Sequence, residues 1–164
     1  VIVSGATVKK SMAKISLIEV DNTPGSAAKV FAHLAKAKVV VDDIVQTEIS
    51  AEKANIAFTV STSDLNAAKK AVDEIKDETG CEDVFIREDI AEISVVGVGM
   101  RSHYGVADKM FTALAEKEIN IDSITTSEIR VGCIVDKDQA DKALEVVCRA
   151  FELEKAVDER TPSS

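Results

Sequence analysis

The chain has 164 residues, 46% of them hydrophobic but only 4% aromatic and none of them Trp. Its core therefore rests on Val, Ile, Leu and Ala, which favours thin layers of strand packed on helix. A formal net charge of −9 argues against nucleic acid and against an anionic membrane surface as partners, because both are held by clustered Lys and Arg.

No window approaches about eighteen uninterrupted apolar residues, and the N-terminus lacks a signal-peptide layout, so the chain is expected in the cytoplasm. Cys81, Cys133 and Cys148 are odd in number and match no zinc or redox spacing. They read as small buried hydrophobes rather than a disulfide framework.

In chain order, residues 1–12 ("VIVSGATVKKSM") predict a lead-in strand. "KISLIEV" alternates as a half-buried strand. In "DNTPGSAAKVF", Asn22 or Thr23 is the expected helix cap and Pro24 suits the first turn. The helix that follows carries Val30, Phe31, Leu34 and Ala35 on one stripe. "VVVDDIVQTEIS" and "ANIAFTVS" are β-branched strands around the turn-like "AEKAN". A second helix, with a Ser or Asp cap, places Leu65, Ala68, Val72 and Ile75 inward and stops at Gly80; "CEDVFIRE" closes the unit as a strand.

The order then starts again with "AEISVVGV". Residues 25–50 align without gaps on residues 105–130, and ten of those 26 positions are identical, among them Gly25/Gly105, Ala27/Ala107, Asp42/Asp122, Ile44/Ile124, Glu48/Glu128 and Ile49/Ile129. The chain is an internal duplication. Each copy reads βαββαβ, an α+β ferredoxin-like plan with two helices on one face of an antiparallel sheet. The expected organisation is a lead-in at 1–12, one domain at 13–90 and a second at 91–160, with terminal strands open to exchange between them.

The stretch from Gly25 to Ala28 carries almost no side-chain bulk at a helix start, where backbone N–H groups and the dipole favour an anion. Gly25 and Ala27 in copy one, and Gly105 and Ala107 in copy two, are therefore candidate donors for a carboxylate, with plain packing as the alternative. His103 has no Ser, Cys or carboxylate arrangement around it that forms a triad, and two histidines without HxxxH spacing predict no metal site. "GVGMRS" departs from the dinucleotide-binding pattern at Ser102. No catalytic residue and no cofactor is expected.

"GVGMRSHYGV" and "INIDSITTSEIR", with "DNTPGSAAKVF" and "VVVDDIVQTEIS", resemble the paired ACT domains of bacterial aspartate kinases over roughly residues 13–156. The resemblance implies feedback control of the first step of lysine, threonine and methionine synthesis. It implies a free amino acid effector held between ACT domains, a homodimer, and a partner in the kinase catalytic domain or alpha subunit. Nothing like that kinase's phosphate loop occurs here, so the chain alone is not expected to phosphorylate aspartate.

Carried over residue by residue, the threonine-type cleft would use Asn22, Gly25, Ala27 and Gln46, faced by Asn120 and Ile121. Gln46 and Asn120 each offer a donor and an acceptor. The lysine-type cleft would use Asp42, Met100, Ser102, His103, Asp122, Ser127 and Glu128, a carboxylate being needed for the ε-ammonium. Three departures stand out: Asn22 where the family often has Asp, Val40 where copy two keeps Asn120, and Tyr104 where Pro is common. Read alone, Asp42 and Asp122 are equally well solvated strand ends, and Glu128 an ion-pair partner. The competing functions are a structural ACT-type dimerisation module with degenerate clefts and a stand-alone small ferredoxin-like enzyme.

Overall fold

In this computed structural model, residues 3–99, 104–153 and 156–158 are described. The chain divides into two compact units: Ser11–Glu88, called here the first unit, and a second that joins Val1–Lys10 to Asp89–Ser164.

The first unit runs β2 (Met12–Asp21), α1 (Ser26–Lys36), β3 (Val41–Glu48), β4 (Lys53–Ser61), α2 (Leu65–Thr79) and β5 (Asp83–Arg87), with a 3₁₀ turn at Thr62–Asp64. Its sheet has the order β3-β4-β2-β5 and is antiparallel throughout. The alternation of "KISLIEV" appears as buried Ile15 and Leu17 against half-buried Lys14, Ser16 and Ile18. Val30 and Leu34 of α1, and Leu65, Ala68, Val72 and Ile75 of α2, join those strand residues in one apolar core. Phe58, fully buried, meets Phe31 edge-on at 6.0 Å. Glu19 and Asp43, both at positive φ, sit at register shifts in β2 and β3 and bend those strands.

The second unit comprises β1 (Val3–Lys9), β6 (Ile90–Gly97), α3 (Gly105–Glu116), β7 (Ser123–Thr126), β8 (Arg130–Asp136), α4 (Ala140–Ala150) and β9 (Ala156–Asp158). Its sheet order is β7-β8-β6-β1-β9. The lead-in strand β1 lies antiparallel to β6, in the slot that β5 fills beside β2 in the first unit. The closing strand β9 is displaced one place outward and pairs in parallel with β1. Val3, Ala6 and Val8 of β1 are buried in the core built by Ile93, Val95, Met110, Leu114, Cys133 and Val147. Burial, then the Glu92 carboxylate, pushes the Cys133 thiol up to about 12; all three cysteines are free thiols.

Two helix ends show how the duplication preserved a strained solution. Lys38 and Glu118, at aligned positions, follow α1 and α3 in the left-handed region with φ of 59° and 57°. Each donates its N–H back into the helix, to Ala35 and Ala115 carbonyls at 2.9 and 3.0 Å, and the next residue donates to Leu34 or Leu114. That closure is ordinarily made by glycine, because a Cβ raises the energy of this conformation. Lys38→Gly and Glu118→Gly should each stabilise the protein by about 0.5–1 kcal/mol, read as a raised urea midpoint with unchanged slope. A lowered midpoint would show that the long side chains contribute more than the strain removes.

Candidate functional site

The helix mouth of the first unit differs from the expected capping. Neither Asn22 nor Thr23 caps α1, because the position before Ser26 is Gly25, at φ 92° and ψ −9°, and it has no side chain. The turn closes instead through Ser26 N–H to the Thr23 carbonyl at 3.1 Å and a Thr23 Oγ1–Ser26 Oγ hydrogen bond of 2.9 Å. A Cβ placed on Gly25 would meet nothing within 4 Å, so glycine is required by the backbone angle and not by crowding. Lys29 N–H returns to the Gly25 carbonyl at 3.0 Å, while the N–H groups of Ala27 and Ala28 have no partner among the described residues.

Asn22 ties this turn to the β3–β4 hairpin. Its N–H donates to the Glu52 carbonyl at 2.8 Å, and its Nδ2 reaches the Ser50 carbonyl at 3.5 Å. Asp21, its acidic neighbour, accepts from Lys53 Nζ at 2.9 Å; that hydrogen bond raises the lysine further above its usual range. Ala27 packs on the core, so its backbone is its available chemistry. Gln46 is exposed on β3 opposite Ile56, toward the hairpin end to which Asn22 is bonded. Asp42 is exposed four residues back along the strand, about 13 Å away, where its Oδ1 accepts from Asp43 N–H at 2.9 Å. Asp42 and Gln46 thus serve opposite ends of β3.

In the second unit, Met100, Ser102 and His103 lie outside the described residues. Tyr104 precedes α3 in helical conformation and is 96% exposed. Gly105 opens α3, and a Cβ there would meet nothing within 4 Å. Asp108 occupies the first turn of α3, whereas the first turn of α1 has no acidic residue, Ala28 standing at the aligned place. The α1 mouth therefore keeps a positive potential that Asp108 partly offsets in α3.

Asn120 is exposed, and Ile121 packs against the second core. Asp122, also exposed, donates its N–H to the Ile134 carbonyl at 2.8 Å. Ser127 starts the β7–β8 turn: its N–H bonds the Arg130 carbonyl at 2.8 Å and its Oγ accepts from Ile129 N–H at 3.3 Å, with Glu128 exposed at the tip. The sequence reading missed the Thr23–Ser26 hydroxyl pair and the Asp108/Ala28 contrast. The first was legible as Thr-x-x-Ser across the turn, the second in the duplication alignment.

Residues 15–80 match an ACT domain model, and residues 93–151 match another ACT domain model. With two ferredoxin-like units of matching order, the chain is a tandem ACT-domain protein. The ligand-free regulatory subunit of aspartate kinase from Thermus thermophilus is 38% identical, with a TM-score of 0.86 over 92% of this chain and 99% of that one. A crystal structure of aspartokinase alpha and beta subunits is 35% identical, with a TM-score of 0.84 over the same shares. An aspartate kinase of Stutzerimonas stutzeri is 39% identical over 153 residues, which is 93% of this chain. The chain belongs to the family of aspartate kinase regulatory subunits and regulatory domains. It spans a little over a third, 37%, of the length of the curated relatives it matches first.

Proposed function

We propose that this chain is the sensing part of an aspartate kinase and binds threonine, lysine or both, so that end products restrain their own synthesis. The observation that carries this reading is the α1 mouth: a left-handed Gly25, no capping side chain, and N–H groups at Ala27 and Ala28 without a partner among the described residues. A free amino acid needs donors for its carboxylate and acceptors for its ammonium. In the first unit the mouth offers donors, and Gln46 and Asn22 offer amide oxygens; Asn120 offers the same chemistry in the second unit. Asp42, Asp122 and Glu128 are the carboxylates suited to a lysine ε-ammonium, with Met100, Ser102, His103 and Ser127 completing that site. An effector that binds one arrangement of the regulatory part better than another shifts the kinase by that difference in affinity alone.

The partner in this reading is the kinase catalytic domain or alpha subunit, and the assembly is a homodimer. Support for association comes from the sheet edges. Ile44 and its aligned Ile124 are both 50% exposed, and Ile49 and Ile129 are 49% and 62% exposed. The same large apolar residues thus recur on or beside the edge strands β3 and β7 of both units, where chains pair readily.

Calorimetric titration with threonine, with lysine and with both should give saturable heat, accompanied by a raised melting temperature. Gln46→Ala should weaken threonine binding by tenfold or more, about 1.4 kcal/mol, while leaving the fold intact. No heat and no thermal shift at millimolar amino acid would overturn the sensing role and leave a dimerisation module.

A further inference from the structure

His33 lies on the core-flanking side of α1, its side chain 18% exposed, and both of its ring nitrogens face α2. Nδ1 is 3.1 Å from Glu74 Oε2, and Nε2 is 2.9 Å from Glu78 Oε2. A neutral imidazole carries one N–H, so one of those carboxylates would confront a bare nitrogen lone pair. The imidazolium donates to both. Geometry alone therefore selects the charged ring. The other charged groups lining this groove are Lys29 and Lys36 of α1 and Lys70 of α2, which temper the two glutamates without reversing their sign at the ring.

We propose that His33 is a proton-operated clasp between α1 and α2, closed while the imidazole is protonated and released as rising pH removes that proton. The second unit has no equivalent, because Ala113 stands at the aligned position in α3. The device is therefore confined to the helix whose N-terminal turn is the Gly25 mouth, and it stands independently of whether that mouth binds an effector.

Titration follows from the same contacts. The hydrogen bond to Glu78, aided by Glu74 and opposed by burial, raises His33 above its ordinary 6.5. The hydrogen bond to His33 lowers Glu78 below its ordinary 4.5. A histidine with a raised folded value contributes stability that is complete below its unfolded value and is lost as pH rises through the folded one. A glutamate with a lowered folded value contributes stability present above its unfolded value and lost as pH falls through the folded one. The clasp is thus strongest between the two ordinary values.

The test is a pH titration of the imidazole Cε1–H resonances by NMR on the full chain. There are two histidines, and His33→Gln assigns the signal. The expected midpoint for His33 lies above 6.5 and moves back toward it in the Glu74→Gln/Glu78→Gln double variant. Long-range ¹H–¹⁵N spectra of the wild type, which need no variant to fold, should show both His33 ring nitrogens protonated at about pH 6. Thermal melts add a second reading: the stability advantage of wild type over His33→Gln should shrink from about pH 6 to about pH 9. A midpoint at or below 6.5, a midpoint indifferent to the double variant, or a pH-independent stability gap would each overturn the clasp.

Discussion

Val8→Asp should unfold the second unit and leave the first largely intact. Val8 is 3% exposed in β1, opposite Ile93 of β6, and its neighbours in the core include Ala6, Ala91 and Ile93. β1 is an interior strand of its sheet, with β6 on one side and β9 on the other. Loss of the valine removes about 2 kcal/mol of apolar burial. A carboxylate with no cation among the described residues of that core adds the larger cost, so the total should reach about 4 kcal/mol or more, a large part of a small domain's stability. Hydrogen exchange reads the outcome by unit: amides of Ile93 and Cys133 should lose protection while those of Ile15 and Phe58 keep it. Ser4→Asp, at an exposed position of the same strand, is the control and should stay within about 0.5 kcal/mol of wild type. Equal protection in wild type and Val8→Asp would remove β1 from that sheet.

The helices and most strands were legible because burial and periodicity coincide in them. "KISLIEV" has one face in the core, and Val30, Phe31 and Leu34 have the spacing of a helix with one buried side, although Ala35, read as part of the same stripe, is exposed. The duplication was legible for a related reason: the aligned core positions Leu34/Leu114 and the aligned edge positions Ile44/Ile124 and Ile49/Ile129 face the same demands in both units. What could not be read was which sheet the lead-in strand joins. Alternation says that "VSGATVK" has a buried face, but the choice of sheet depends on the vacancy beside β6, a tertiary fact. The cap at α1 was misread because Asn22 and Thr23 are strong cap formers, whereas the left-handed Gly25 takes the cap position and shifts the helix start beyond their reach.

Site residues divide along the same line. The bare turn at Gly25 and Ala27, proposed above to offer backbone donors, is visible in sequence because neither residue covers the backbone with a large side chain. Side-chain roles are less so. Ile121 reads as a candidate contact by resemblance, yet its side chain packs against the second core. Asp21 looks like a substitute for the carboxylate missing at Asn22, but Lys53 already holds it. The difference between the two helix mouths, Ala28 against Asp108, would make the two proposed sites unequal toward an anion. One mouth presents an uncompensated dipole to an anion, and the other carries its own negative charge.

Gly132→Ala should cost about 2–3 kcal/mol even though alanine is the better strand residue. Registers across the two sheets set up the comparison. In the first unit one row runs Val45, Ala57, Ser16 and Phe85; in the second the corresponding row runs Thr125, Gly132, Ser94 and Thr7. Alanine is thus accommodated at this place in one copy, and the question is why the other holds glycine. A Cβ on Gly132 would stand 2.7 Å from Ser94 Oγ, 3.1 Å from Thr125 Oγ1 and 3.5 Å from the Ile93 carbonyl. Ser94 is 1% exposed, and Thr125 Oγ1 is itself buried with no hydrogen-bond partner among the described residues. Making room therefore requires a packed side chain to rearrange. In the first unit Ser16 is half-buried where Ser94 is buried, and Val45, 48% exposed, stands in place of Thr125. The decisive measurement is a double-mutant cycle on urea unfolding. Ser94→Ala removes the nearest atom, so it should recover more than half of the loss caused by Gly132→Ala, a coupling of about 1–2 kcal/mol. Additive losses in the double variant would mean that backbone freedom, and not the approach of Ser94, keeps glycine at this position.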